Sequence, residues 1–267
     1  YGEIFKNRFS NYSKDQEREA DILALEYLEK NQITSMGLIN LLERLILSFE
    51  NLGIKEDEIN VYTHPYKKER IKTILDYQKK SKFNNFYFSN SINLKFKFVK
   101  AKINGYTLSL KKNRALYKGF DTNDKKYALS ISYAREGYMQ ESLELINHLI
   151  INYKDNPFFY ETKGEILLNF GYSDESIKFF EKSLSLDNSN DYLRTKLITL
   201  LFNELKNDNK NGNRIIEEYE LLKINKNNNK LLNILSKTYE FLNTISYQYY
   251  YKSMIEKNNG NKELAIE

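Results

Sequence analysis

Two carboxylates near the start of the chain have the spacing of groups that act together. Glu17 and Asp21 are four residues apart, so on a helix both lie on one face, and Ala20 beside them leaves room for a neighbouring helix. Two like charges at this spacing weaken an isolated helix slightly, a cost that a nearby positive charge would remove. By spacing alone they are interpreted as an ordinary solvated acidic face, because unpaired carboxylates usually stay in water.

Few other side chains could do chemistry. The 267 residues contain no Cys, which excludes disulfides, thiolate zinc clusters and a cysteine nucleophile. The two histidines are His64, which precedes a proline, and His148, and no H-E-x-x-H motif is present. Taken alone, His64 is interpreted as a helix cap or loop residue and His148 as a surface residue.

Composition and periodicity predict an all-α protein of one or two domains. The chain has 41% hydrophobic residues, 2 Pro, 10 Gly and a net charge of +5, which excludes a histone-like polycation. No stretch approaches the roughly 18 apolar residues of a membrane span. Apolar residues recur at helical spacing along most of the sequence.

Three helices are expected in the first 80 residues. A capping box at Ser13 and Gln16 predicts a helix from there to about Lys30, and a second helix runs over about 35–52. Pro65 suits the first position of a third helix. The apolar side chains expected to face the core are Ile22, Leu25, Leu28, Met36, Ile39, Leu42, Leu45, Ile46, Phe49, Ile71, Ile74, Leu75 and Tyr77.

The segment that follows is ambiguous between strand and helix. Residues 94–98 alternate like a strand, but a longer pattern keeps the 4-3-4-3 spacing of a helix. We predict a helix from this longer pattern. Its members are Ile92, Phe96, Val99, Ile103 and Tyr106.

A repeat of 34 residues occupies 157–190. Small residues at three positions would let two antiparallel helices cross closely, and a glycine would make the turn between them. The landmarks are Tyr160, Gly164, Leu167, Gly171, Ser176, Phe180 and Ser183. They closely resemble a tetratricopeptide repeat. Weaker copies align on Gly137 and Gly260, the last one cut off inside its second helix, and the region between is helical but looser. Because such repeats bury their faces against neighbours, the array is expected to continue beyond the chain.

Three motifs in the first 80 residues carry a further resemblance. They are Ser13-Lys14-Asp15-Gln16-Glu17-Arg18-Glu19-Ala20-Asp21, then Thr63-His64-Pro65, then Glu69-Arg70-Ile71. Their order and spacing resemble the closing half of the gluzincin-like zinc metallopeptidase domain of the CAAX prenyl protease and HtpX class. With the repeats downstream, the chain is most similar to the β-barrel assembly-enhancing branch of that class. Lys14 stands where the family usually has arginine.

The resemblance implies roles for three residues. Glu17 would be the third zinc ligand, Asp21 would orient a ligand histidine, and His64 would be a regulatory ligand that holds the enzyme latent. Two imidazoles and one carboxylate suit a catalytic zinc ion with one open position. The other two ligands and the general-base glutamate belong to an H-E-x-x-H helix, which the resemblance implies to lie before Tyr1. By itself, the 267-residue chain is expected to bind zinc poorly and to cleave nothing.

The net charge is unevenly distributed. Residues 66–126 contain 17 Lys or Arg and 4 acids, interleaved with Phe and Tyr. This pattern is interpreted first as a solvated helix face and next as a peripheral contact with an anionic membrane surface; nucleic-acid binding is disfavoured. The tyrosines at 247, 249, 250 and 251 are predicted to pack in the repeats rather than to stack on bases.

Two functions are therefore expected. The first is a fragment of a zinc endopeptidase whose repeats recruit protein substrates or envelope assembly partners, as in periplasmic protein quality control. The second is a non-catalytic tetratricopeptide adaptor. The predicted domains are the closing part of a metallopeptidase domain over 1–80, a basic helical connector over 81–120 and tetratricopeptide repeats over 121–267. A location in the bacterial periplasm or envelope is implied by the resemblance.

Overall fold

The structure is a computed structural model that describes residues 2–51, 67–84, 88–205 and 210–261, together with residues 263 and 265. In these residues every regular element is an α-helix, and there are thirteen of them, which confirms the all-α prediction. The chain divides into two compact units, residues 1–93 and residues 94–267. The boundary between the units lies within the segment predicted as a connector.

The first unit is built from helices α1 (Gly2–Lys30), α2 (Met36–Asn51) and α3 (Lys67–Gln78). Helix α3 packs against both α1 and α2. A small apolar core lies between the three helices and is made by Leu25, Ile39, Leu42 and Ile74. Four of the residues predicted to face the core are therefore buried in it, and Ile71 and Tyr77, also predicted, pack against it while partly buried.

Helix α1 differs from its prediction at the amino-terminal end. It begins at Gly2, so Ser13 lies inside the helix and the predicted start is wrong. A capping box begins a helix only where the preceding chain leaves helical geometry, and no proline or internal glycine makes residues 3–12 do so. Ile22 is 45% exposed, and Met36, Leu45 and Leu75 also face solvent, so the buried stripes are narrower than predicted.

The second unit begins within α4 (Asn90–Thr107), includes α5 (Leu110–Leu116) and continues as helical hairpins. Within the described residues there are four hairpins, each made of two helices in direct contact. They are α6 (Asn123–Arg135) with α7 (Met139–Asn152), α8 (Pro157–Asn169) with α9 (Ser173–Leu186), α10 (Asp191–Asn203) with α11 (Asn211–Glu220), and α12 (Asn229–Phe241) with α13 (Ile245–Asn258).

The best repeat, 157–190, folds as its landmarks predict. Gly171 makes the turn between α8 and α9 with a φ of +86°, a conformation that favours glycine. Gly164 lies against the ring of Phe180, which would be 2.5 Å from any β-carbon added there. The Ser176 hydroxyl donates a hydrogen bond of 2.8 Å to the carbonyl of Gly164 and ties the two helices together.

The last hairpin corrects the predicted repeat register. Asn243, with a φ of +55°, makes the turn between α12 and α13, and the Ser236 hydroxyl donates to the carbonyl of Gln248 across the pair. Helix α13 is therefore the second helix of this hairpin, whereas alignment on Gly260 made it the first helix of a final repeat. The sequence prediction placed the turn at a glycine, but asparagine also tolerates left-handed geometry and makes the turn here.

Helix α4 confirms the helical interpretation of the ambiguous segment. Phe98, Ala101 and Gly105 form its buried side. The stripe that predicted the helix lies on the other side and is 41–67% exposed; its members are Ile92, Phe96, Val99, Ile103 and Tyr106. Among the residues that the structure describes, no helix, α4 included, is both long and apolar enough to cross a membrane.

Candidate functional site

Arg70 on α3 binds both carboxylates that the sequence singled out on α1. Its Nε lies 2.7 Å from Oδ2 of Asp21, and its Nη2 lies 2.7 Å from Oδ1 of the same side chain. Its remaining terminal nitrogen, Nη1, lies 2.9 Å from Oε2 of Glu17. We call Glu17, Asp21 and Arg70 the carboxylate–arginine cluster.

The apolar core positions this cluster. Leu25 follows Asp21 by one helical turn on α1, and Ile74 follows Arg70 by one turn on α3. Both apolar side chains are fully buried in the core of the first unit. Because residues four apart share a helix face, burial of this pair sets the charged groups of α1 and α3 opposite each other.

Burial makes the charge pairing necessary. Asp21 is only 5% exposed, and a carboxylate held out of water is unfavourable unless it is paired and hydrogen-bonded. The hydrogen bond to Asp21 raises the pKa of the Arg70 guanidinium, against the opposite effect of burial, so Arg70 stays charged. Arg70 is thus the positive charge that removes the repulsion between the two acids.

The outcome differs among the residues singled out in the sequence. Glu17 and Asp21 do share a face, but a solvated acidic face is the wrong interpretation for Asp21, which is buried. Ala20 is exposed. His64 lies outside the described residues, and His148 is exposed on α7 as predicted.

Arg70 is the member of the cluster whose role the sequence motifs did not reveal. The pairing could have been predicted, since two acids on one helix face are stabilised by a nearby cation and the Glu69-Arg70-Ile71 motif contains one. A second contact joins the same two helices, because Arg18 lies 3.3 Å from Glu69. That pair is exposed and contributes little.

The cluster fits one ligand of a metal ion rather than a complete metal site. Catalytic zinc takes three protein ligands and keeps one position open. Across 2–51, 67–84, 88–205 and 210–261, no three His, Cys, Asp or Glu side chains lie close enough together to hold a metal. Glu17 can supply one carboxylate, and its contact with Arg70 is compatible with this because a carboxylate has about four acceptor positions.

Four of the nine basic residues of the predicted connector, 81–120, lie on α4. Lys95, Lys97 and Lys100 are exposed on this helix. Lys102 is partly buried and lies 3.1 Å from Glu161 on α8. The helix contains no acidic residue, so it presents charge of a single sign around its apolar stripe.

The tyrosines near the carboxyl-terminal end contribute mainly to packing. Tyr251 is buried, and its ring contacts those of Tyr219 and Tyr239. Tyr247 stacks on Tyr239 with 4.9 Å between ring centroids. Tyr250 is exposed, but its ring contacts that of Tyr251 edge to face at 5.1 Å between centroids, and Tyr249 is exposed. Aromatic packing within the repeats therefore involves three of the four tyrosines at 247, 249, 250 and 251.

Comparison with known proteins gives one family match and several similar structures. Residues 4–78 match the model of Peptidase family M48, and this stretch contains the whole carboxylate–arginine cluster. No curated protein matches the chain. The solved structure of MamA from AMB-1 is similar with a TM-score of 0.50 and 17% identity, over 66% of this chain and 98% of that one.

A second MamA structure, from MSR-1, has a TM-score of 0.47 and 19% identity over 63% of this chain and 94% of that one. At these identities the AMB-1 structure indicates the fold alone, which is a tetratricopeptide-like helical repeat. The chain therefore combines a segment that matches Peptidase family M48 with a helical-repeat region.

Proposed function

We propose that the chain is part of a zinc-dependent endopeptidase whose helical repeats bind protein substrates or partners. The match of residues 4–78 to Peptidase family M48 supports the peptidase part, and the repeat fold supports the binding part. The observation that carries the proposal is the carboxylate–arginine cluster, because Glu17 and Asp21 share one helix face and both are held by one partly buried arginine.

Each member of the cluster has a role in this proposal. Glu17 is a metal ligand, and Arg70 sets its orientation through Oε2. Asp21, immobilised by two hydrogen bonds from Arg70, orients a ligand histidine that lies outside these 267 residues. When bound, zinc would act as a Lewis acid on the peptide carbonyl and on water.

Proteolysis that depends on the metal tests this function. We expect the protein, expressed together with the residues that precede Tyr1, to hydrolyse an unfolded substrate such as reduced casein. Activity should be lost with 1,10-phenanthroline and restored by added zinc, whereas the 267-residue chain alone should be inactive and hold far less than one zinc per chain. Chelator-resistant proteolysis, or stoichiometric tight zinc in the 267-residue chain, would contradict the proposal.

His64 is proposed as a latency switch at the same site. If its neutral imidazole occupies the open position of the metal, the site is closed until the segment carrying it moves away. His64→Ala in the longer protein should therefore raise basal proteolysis of casein, with zinc content unchanged. Basal activity equal to or below that of the wild type would count against the switch.

A non-catalytic adaptor is the second candidate. The observation in its favour is that no three potential metal-binding side chains lie close together in the described residues, whereas four helical hairpins form a repeat scaffold. The residues before Tyr1 distinguish the two, because an H-E-x-x-H helix there decides for the peptidase. An envelope location is part of the first proposal and is tested by fractionating cells that carry the tagged protein.

A further inference from the structure

An open groove lies at the start of the second unit, remote in sequence from the carboxylate–arginine cluster. One wall is α4, and the other is the segment from Asn152 to the first turn of α8. Its volume is about 840 Å³, within the range of pockets that bind compact ligands. The apolar part of its lining is made by Phe98, Val99, Ile103, Pro157 and Phe158.

The floor of the groove is rigid. The ring of Phe98 contacts Phe159 at 5.1 Å and Tyr153 at 5.2 Å between centroids, both edge to face. Tyr127 on α6 packs against Phe159 from below at 4.9 Å, and its hydroxyl lies 2.9 Å from that of Thr162. Because these side chains are already locked, a ligand would not have to order them on binding.

The rims of the groove are apolar and exposed. Val99 and Ile103 belong to the exposed stripe of α4, and Phe158 on the opposite wall is also about half exposed. Facing apolar side chains that remain open to water are typical of a surface that a partner covers. Because these exposed apolar side chains lie on both walls of an open groove, they suit the side chains of a peptide that lies along it.

The charge on the rims selects the partner. Lys95 and Lys102 lie on the α4 wall and Lys154 on the other, against one acid, Asp155. Lys102 is engaged by Glu161, which leaves Lys95 and Lys154 as the cations on the two sides. Positive groups that flank an apolar cleft complement carboxylates that flank an apolar side chain.

We propose that this groove binds an acidic peptide segment of a protein partner. An aromatic or aliphatic side chain enters between Ile103 and Phe158, and carboxylates on either side of it meet Lys95 and Lys154. A bilayer fits less well, because a flat surface cannot reach the floor of a concave groove. The inference rests on the proposed protein-binding role of the repeats and is independent of the peptidase part.

Fluorescence anisotropy with three labelled peptides tests the proposal on the 267-residue chain. Each peptide has about twelve residues. The first carries Phe and Leu between Asp and Glu residues, the second replaces every acid by Lys, and the third replaces Phe and Leu by Ser. We expect the first to bind and the other two to bind at least about tenfold more weakly, because each lacks one of the two complementary features.

Two charge-reversal variants on α4 locate the binding site. Lys95→Glu changes the rim, and Lys97→Glu makes the same change at an exposed position of the same helix outside the groove. Lys95→Glu should weaken the first peptide by about tenfold, and Lys97→Glu by no more than about twofold. Ile103→Ser should weaken it to a similar extent as Lys95→Glu, and circular dichroism checks that all three variants remain folded.

Several results would overturn the proposal. Equal losses of peptide affinity in Lys95→Glu and Lys97→Glu would mean that diffuse charge attraction, and not the groove, holds the peptide. That result would not contradict protein binding elsewhere on the repeats. Binding to phosphatidylglycerol vesicles, with no binding to the peptides, would show that the exposed apolar stripe of α4 contacts a membrane instead of a peptide. Absence of any peptide binding to the 267-residue chain would reject the groove, and chelator-sensitive proteolysis by the longer protein would show that the peptidase proposal survives this result.

Discussion

Replacing Arg70 by alanine is expected to destabilise the first unit by about 3 kcal/mol. The substitution leaves the carboxylate of Asp21 buried without the guanidinium that donates two hydrogen bonds to it. It also restores repulsion between Asp21 and Glu17 on α1. Hydrogen exchange followed by mass spectrometry measures this effect, because peptides from residues 15–48 and 69–80 report on the first unit separately from the repeats.

Two further variants separate charge pairing from mere loss of side-chain volume. Arg18→Ala removes an arginine from an exposed pair with Glu69, in which the two side chains are 61% and 65% exposed, and should cost less than about 1 kcal/mol. Asp21→Asn in the Arg70→Ala background removes the stranded charge and should recover part of the loss. Equal effects of Arg70→Ala and Arg18→Ala would show that the cluster does not stabilise the unit.

Gly164→Ala is expected to destabilise the repeat region by about 2 kcal/mol. The new β-carbon would lie 2.5 Å from two atoms of the Phe180 ring, which is fully buried and cannot move aside without repacking α9. The better helix propensity of alanine, about 1 kcal/mol, offsets only part of this strain. Urea unfolding monitored by circular dichroism should show a lower midpoint with little change in slope.

The control for this substitution is the same change at Gly37. This glycine lies exposed in the first turn of α2 and has no atom of another residue within 4 Å of a built β-carbon. Gly37→Ala should therefore be neutral or stabilise by up to about 1 kcal/mol. A stabilising effect of Gly164→Ala would mean that α8 and α9 are not as closely packed as the structure has them.

Local sequence features predicted much of the fold. The landmarks of 157–190 gave the hairpin, its turn at Gly171 and the close contact at Gly164, because each depends on a residue type that few others can replace. The spacing of Glu17 and Asp21 gave their common helix face. The helix over 92–106 was predicted as well, since its period is a property of the segment itself.

Other features depended on contacts that are remote in sequence. The burial of Asp21 and its pairing with Arg70 join residues 49 positions apart, so spacing on α1 alone could not distinguish a buried pair from a solvated face. The apolar stripe on α4 correctly predicted a helix, but it is not the side that is buried. The buried side is the one on which Phe98 packs against its aromatic neighbours on α6 and α8. Asn243 makes the turn of the last hairpin, which the sequence prediction had placed at a glycine.

The zinc content of paired glutamate variants tests the central claim most directly. In the protein expressed together with the residues that precede Tyr1, Glu17→Gln should lower zinc affinity by about a hundredfold or more, while Glu19→Gln, exposed on the same helix, should retain one zinc per chain. Inductively coupled plasma mass spectrometry after dialysis gives both values. Full zinc occupancy and full proteolysis in Glu17→Gln would contradict the assignment of Glu17 as a metal ligand.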